Sequence, residues 1–195
     1  MCFDKNVVRF QNMKLIPNGR WDNGDENTLP QVIVHILKDH HFLHVRFQVT
    51  EPNECYAATV DHDGGHAWED SCVEIFVKAL DSANEYINFE FTSKGFCYAA
   101  RGLNREHRKE FLQTQYSQIL RSKTEPVFEN GKVTWELRVS IPGFLIGCRN
   151  LSIAEIYGNI YKCGDKTRRP HHLVHFPVNT EKPDFHQPRF FKKLI

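Results

Sequence analysis

Trp68, Glu74, Asn88 and Glu90 are the residues of this chain whose types and spacing could do chemistry together. Trp68 lies in a polar stretch, His66-Ala-Trp-Glu-Asp70, and Glu74 lies in the alternating run that follows, Cys72-Val-Glu-Ile-Phe-Val77. Successive residues of a strand face opposite sides, so Val73, Ile75 and Val77 form one face and Cys72, Glu74 and Phe76 the other. The run Tyr86-Ile-Asn-Phe-Glu-Phe91 repeats the pattern, with Ile87, Phe89 and Phe91 apolar and Tyr86, Asn88 and Glu90 polar. If the two runs pair antiparallel with both apolar sets on one side, Glu74 falls opposite or diagonal to Asn88 and Glu90. A slip of one residue would turn every side chain over. Two carboxylates and an amide beside an aromatic ring suit a sugar. The ring covers the C–H face of a pyranose and the polar groups take its hydroxyls. The bland alternative for the same residues is an ordinary solvent-facing sheet. The sugar reading also carries a condition, because six residues of straight strand would hold Trp68 ~20 Å from Glu74. The loop before Asp70 must fold the tryptophan back over the sheet.

The elements that would position these residues are short strands with turns between them. Gln31 to Lys38 and Phe42 to Thr50 read as a hairpin joined by Asp39-His40-His41, with His44 and Arg46 on its polar face. Cys55 to Val60 reads as a further strand, and Asp61-His-Asp-Gly-Gly-His66 as a sharply bent loop. Gly95 to Ala100, Lys132 to Ile141 and a strand around Tyr157 to Tyr161 follow, and the alternation places Trp135 in the core. Residues 1 to 30 are turn-rich, with at most a short strand. The pattern over Glu106 to Lys123 is compatible with a helix or with irregular chain leading into a strand. From Pro170 onwards, Pro177, Pro183 and Pro188 point to an ordered coil wrapped on the outside. These expectations add up to an all-β fold, an antiparallel β-sandwich of immunoglobulin or jelly-roll type with short helical turns. The 195 residues suffice for one domain spanning 1–195.

A net charge of +1 makes no field that would favour nucleic acid or an anionic membrane. The basic run Arg101 to Arg108, interrupted by Glu106, reads as a solvated loop rather than a phosphate patch. No apolar run approaches the ~20 residues of a membrane span, and the first residues lack the pattern of a secretion signal. The six cysteines are scattered, with no Cys-x-x-Cys pair, and read as reduced core thiols. Together these features point to a soluble chain, cytoplasmic as it stands or exported with its signal already removed.

Several motifs occur in an order that resembles the family 9-like carbohydrate-binding proteins. They are Asp70-Ser-Cys-Val-Glu-Ile-Phe76, Tyr86-Ile-Asn-Phe-Glu-Phe91, Trp135 followed by Ile141-Pro142, Asn159-Ile-Tyr-Lys-Cys-Gly-Asp165, Pro170-His171, and Pro183-Asp-Phe-His-x-Pro-x-Phe-Phe191. The resemblance runs from about Trp21 to the C-terminus. It implies a sandwich with a non-catalytic, lectin-like role in binding plant-type polysaccharide such as xylan, with chain ends gripped between two tryptophans and with structural calcium. Carried onto this chain, it assigns Trp68 to the first tryptophan, Glu74 to an acidic ligand, and Asn88 and Glu90 to neighbouring polar ligands. The second tryptophan is missing, His175 stands in its place beside Phe176, and His172 and His175 are expected to close the site. Calcium, if held, has loop oxygens available at Asp22, Asp61 and Asp63. The Asn159 to Asp165 motif reads as a well-packed final strand and turn.

Three alternatives remain open at this stage. One is a glycoside hydrolase built on Glu74 and Glu90, or an accessory domain in polysaccharide degradation. Another is a sandwich that has lost its sugar. The third is a transition-metal site from His171, His172, His175 and His186 with Asp184.

Overall fold

The computed structural model describes residues 8–21 and 24–195. In chain order its strands are β1 (Val8–Lys14), β2 (Ile16–Pro17), β3 (Gln31–Lys38), β4 (Phe42–Pro52), β5 (Cys72–Lys78), β6 (Tyr86–Thr92), β7 (Cys97–Gly102) and β8 (Arg108–Glu110). They continue with β9 (Leu120–Lys123), β10 (Val127–Glu129), β11 (Lys132–Pro142), β12 (Tyr157–Cys163), β13 (His172–Val174) and β14 (Lys192–Lys193). One sheet runs β1-β3-β4-β11-β10 with β9 also on β11, and the second runs β2-β13-β12-β5-β6-β7-β8 with β14 also on β12. Every pairing is antiparallel. The expected all-β sandwich is what the chain forms.

The two sheets bury one shared core. Val32, Val34 and Ile36 of β3, Val45, Phe47 and Val49 of β4, and Trp135, Leu137 and Val139 of β11 meet Val73, Ile75 and Val77 of β5 and Ile87, Phe89 and Phe91 of β6. Each fully buried large aliphatic or aromatic side chain contributes about 1.5–3 kcal/mol, so the alternation read in the sequence fixes which face of each strand turns inwards.

The second sheet is buried on both faces. Its outer side carries a second apolar cluster of Phe76, Tyr86, Tyr161, Cys72, Cys163 and Val174, roofed by Trp21, Val178, Phe185 and Phe191. The proline-containing C-terminal segment makes this roof, as its composition suggested, although His172–Val174 within it pairs as a strand. Asn18 Nδ2 donates to the Val178 carbonyl at 2.7 Å and Trp21 Nε1 to the Thr180 carbonyl at 3.2 Å, tying the roof down. The outer face of β5 is therefore sheltered rather than open to solvent.

Two local readings of the sequence are corrected. Cys55 to Val60 is not a strand, because its backbone donors turn to a side chain. The Asp70 carboxylate accepts from Thr59 N at 2.7 Å, Val60 N at 2.8 Å and Thr59 Oγ1 at 2.8 Å. Residues 1 to 30 hold more strand than expected, since β1 pairs with β3 over most of its length. The ambiguous stretch after Glu106 resolves into β8, a single helical turn at Gln113–Tyr116, and β9.

Candidate functional site

Strands β5 and β6 pair in the register that the apolar sets require: Val73 opposite Phe91, Ile75 opposite Phe89, Val77 opposite Ile87. Glu74 consequently stands directly opposite Glu90, and Asn88 opposite Phe76. Continuing across the sheet, Tyr161 of β12 flanks Glu74 and Tyr98 of β7 flanks Glu90. The two carboxyls form the floor of a cleft of about 170 Å³. That is a space for one ring-sized group, below the roughly 300–1,000 Å³ of pockets that enclose drug-sized ligands.

The condition on Trp68 is met. A single turn at Ala67–Glu69 reverses the chain, helped by Gly64, whose φ of 88° suits a residue without a Cβ. Asp165 N donates to the Trp68 carbonyl at 2.9 Å and Lys166 N to the Glu69 carbonyl at 3.1 Å, so the turn after β12 holds the tryptophan loop in place. The half-buried indole stacks on His66 with ring centroids 4.5 Å apart and meets Tyr98 edge-on at 5.1 Å. Trp68, Glu74, Glu90 and His172 all line the cleft.

The other residues singled out in the sequence lie elsewhere. Asn88 is fully buried behind Glu90. Its Nδ2 donates to Glu90 Oε1 at 2.9 Å and its Oδ1 accepts from Arg108 Nη1 at 3.0 Å, so it orients the carboxyl rather than facing the cleft. His175 and Phe176 lie past the end of β13, where its alternation no longer holds. Their rings pack on each other at 4.2 Å, Phe176 packs against the inter-sheet core, and neither lines the cleft. No second tryptophan replaces them: Trp135 is in the core, and Trp21 sits behind His172 and Phe185 with ring centroids 6.1 and 5.6 Å away.

The cleft gains residues that periodicity did not reveal. Phe185, from the Pro183 to Phe191 motif, stacks on Tyr161 at 4.1 Å with the rings 8° from parallel, and the Tyr161 hydroxyl donates to the Phe185 carbonyl at 3.2 Å. His186 Nδ1 pairs with the Tyr86 hydroxyl at 2.7 Å, and burial beside Arg108 and Arg105 holds its pKa down at about 3. Arg105, Arg108, Cys163, Asp165 and Pro183 complete the lining. The basic run is thus not merely a solvated loop. Arg105 donates to Asp184 Oδ1 at 2.9 Å, and Arg108 donates to the Arg105 carbonyl at 3.0 Å and reaches in to Asn88. The Asn159 to Asp165 motif is likewise more than packing, for Cys163 and Asp165 both border the cleft.

Burial governs the electrostatics. Glu74 is 2% exposed and Glu90 3% exposed. Desolvation, reinforced by Cys163 and by the facing Glu90, pushes the Glu74 carboxyl well above the usual carboxylate range. Glu90 is pushed up to about 7 by burial, against the opposing pull of Arg108 and the Asn88 hydrogen bond. The Cys163 thiol donates to Glu74 Oε1 at 2.8 Å, whereas Glu90 Oε2 is buried and has no hydrogen-bond partner among the described residues. Such an oxygen costs about 1–3 kcal/mol until a donor reaches it, and it belongs to a residue lining the cleft.

The chain matches the family described as Carbohydrate-binding family 9 over residues 1–195. It belongs to carbohydrate-binding family 9. A solved structure described as a candidate carbohydrate-binding protein from Bacteroides uniformis is similar to this family 9 chain, with a TM-score of 0.81 and 30% identity over 95% of this chain and 85% of that one. Among the curated proteins compared, none matches. The calcium suggested by the family resemblance does not fit Asp61 and Asp63 of this family 9 chain. Arg121 grips both oxygens of Asp63 at 2.5 and 2.9 Å, and Cys97 N donates to it at 2.9 Å, while Asp61 is exposed and pairs with His62. Asp22 lies outside the described residues. The histidine site is not formed either, because His171 is buried against Lys162, Nε2 to Nζ 2.8 Å, away from the cleft that His172 and His186 line.

Proposed function

We propose that this family 9 chain binds carbohydrate in the cleft between Trp68 and the Glu74–Glu90 floor. The observation that carries the reading is the folded-back Trp68 beside a buried Glu90 Oε2 that has no donor among the described residues. An indole offers an apolar face to the C–H side of a pyranose, and a sugar hydroxyl supplies the donor that Oε2 lacks. Arg108 lies close enough to Glu90 to oppose the rise in its pKa, and donates to oxygen rather than accepting. The limited volume favours one sugar unit at a time, such as the end of a chain. Phe185 and His172 take the part of a second wall, in place of the missing tryptophan.

A hydrolytic reading draws on one specific observation, two desolvated carboxyls directly opposite each other. Opposed side chains on neighbouring strands do fall near the ~5 Å spacing of retaining glycosidases. Those enzymes, however, need their carboxyls on either side of the scissile bond. Glu74 and Glu90 rise side by side from one sheet face, and the Cys163 thiol occupies Glu74. Binding without turnover is the reading the arrangement supports.

Isothermal titration of the chain with xylan, glucan and mono- and disaccharide panels tests it, with Trp68→Ala alongside. Saturable binding weakened at least tenfold by Trp68→Ala is expected. Failure to bind any member of the panels would refute the sugar reading, and glycan turnover abolished by Glu74→Gln would establish the hydrolase instead.

A further inference from the structure

Beneath the cleft, β5 and β12 place Cys72 directly opposite Cys163, both on the outer face of the second sheet. Glu74, two residues along β5, points the same way. One donor atom from each of Cys72, Glu74 and Cys163 can be chosen so that all three lie within 4.8 Å of one another, and all three residues are buried. No other group of three His, Cys, Asp or Glu donors converges like this among the described residues. Glu74 and Cys163 line the cleft, which gives the cluster a way in, while Cys72 lies fully buried behind them.

We propose that Cys72, Cys163 and Glu74 form a zinc-binding site in the floor of the cleft. Each of these donors, thiolate sulfur and carboxylate oxygen, is one that zinc takes in tetrahedral geometry, at ~2.3 Å to sulfur and ~2.0–2.2 Å to oxygen. Those bond lengths require donor separations of about 3.5–3.8 Å. The Cys163 Sγ to Glu74 Oε1 contact of 2.8 Å opens to that value with a small side-chain rotation. Three protein ligands leave a fourth tetrahedral position for water or for a ligand oxygen entering from the cleft.

The charges are compatible with such an ion. Two thiolates and a carboxylate around one divalent cation leave one net negative charge, and Arg105 and Arg108 line the same cleft. Without a cation, the same three groups are buried together. Binding is then an exchange: Zn2+ enters, the two thiol protons leave, and the proton on Glu74 leaves with them when that carboxyl is neutral. Nothing is oxidised or reduced. The free cysteines Cys55 and Cys97, each without a second thiol or carboxylate in such a cluster, provide internal controls.

The test uses the full chain, reduced and stripped of metal, titrated with ZnCl2 against a chromophoric chelator and separately with CoCl2. One equivalent of zinc is expected, with about two to three protons released per zinc in weakly buffered solution. Cobalt should give intense near-ultraviolet thiolate-to-metal bands and the visible absorption of a tetrahedral site. Cys72→Ser and Cys163→Ser should each weaken zinc at least a hundredfold, while Cys55→Ser leaves it unchanged. If the serine variants do not fold, the wild-type cobalt spectrum decides alone: cobalt bound without thiolate bands, through the exposed histidines, overturns the site. So does an absence of stoichiometric binding, or a Cys72–Cys163 disulfide that persists under mild reduction. The titration contains no sugar, so its failure leaves the carbohydrate reading standing, and a failed sugar titration leaves the zinc site standing.

Discussion

Lys162 and Cys163 are neighbours on β12, and alternation sends them to opposite faces of one sheet, each into a buried polar cluster. On the inner face, Lys162 Nζ pairs with Glu51 Oε2 at 2.9 Å, approaches His171 Nε2 at 2.8 Å and donates to the Cys163 carbonyl at 3.1 Å. Glu51 Oε1 in turn accepts from Trp135 Nε1 at 2.7 Å and from the Ser71 hydroxyl. This cluster is charge-matched, Glu51 Oε2 having no aligned hydrogen bond among the described residues but the Lys162 ammonium as its ion-pair partner. On the outer face, Cys163 meets Glu74, which stands opposite Glu90; among the described residues neither carboxyl has an ion-pair partner and one oxygen has no donor. The first arrangement meets its own electrostatic needs and serves the fold. The second does not, and it opens onto a cleft, which is where a ligand can complete it.

The comparison breaks most visibly at Lys162. Lys162→Met strands the Glu51 carboxylate in the core and is expected to cost about 3–5 kcal/mol in urea denaturation, while Glu51→Gln with Lys162→Met recovers part of the loss. A cost below about 1 kcal/mol would mean that the inner cluster is not the stabilising one. Trp68→Ala should do the opposite. Its half-buried ring leaves stability within about 1 kcal/mol of wild type, but sugar affinity falls ten- to a hundredfold, about 1.4–2.8 kcal/mol. Equal losses in stability and binding would dissolve the contrast.

Glu90 sharpens it through pH. Its carboxyl titrates at about 7 in the folded chain against 4.5 for the ordinary group, so the native state holds the proton more tightly than the unfolded one. The stability linked to that proton is fully present below about 4.5, falls as pH rises towards 7, and stays lost above it. Glu90→Gln should therefore gain about 1–3 kcal/mol relative to wild type between pH 4.5 and 8. Sugar affinity of the wild type should rise over the upper part of that range, as the acceptor becomes a carboxylate, and should be flat in the variant. Parallel denaturation profiles for the two proteins would show that Glu90 does not carry the shift. The smallest effect is expected at His175. His175→Ala should alter sugar affinity less than twofold, because the ring lies outside the cleft, and a tenfold loss in titration would move the site.

Much of this was legible in the chain. Alternation in 72–77 and 86–91, joined to the demand that both apolar sets face one core, put Glu74 opposite Glu90. A period of two leaves no other register that buries both sets. The motifs identified the family, and the proline-rich end signalled an external wrap. The positions of Arg105, Arg108, Phe185 and His186 were not legible, because Arg105, Phe185 and His186 reach the cleft from irregular segments and Arg108 from the first residue of the three-residue β8, too short to show a period. His175 and Phe176 fall outside the cleft for a related reason. Counting along a motif cannot tell where β13 stops, and its pairing with β12 ends at Val174, just before them.

Residue order by itself determined the long strands β3, β4, β5, β6 and β11, their inward faces and the facing carboxyls, since these follow from local alternation and burial. Only the tertiary structure decided that the outer face of β5 would be dry. The C-terminal segment and the tryptophan loop come from distant parts of the chain, and their packing removes water from Glu74 and Glu90. That shared desolvation turns an ordinary pair of sheet carboxylates into the buried floor of a cleft.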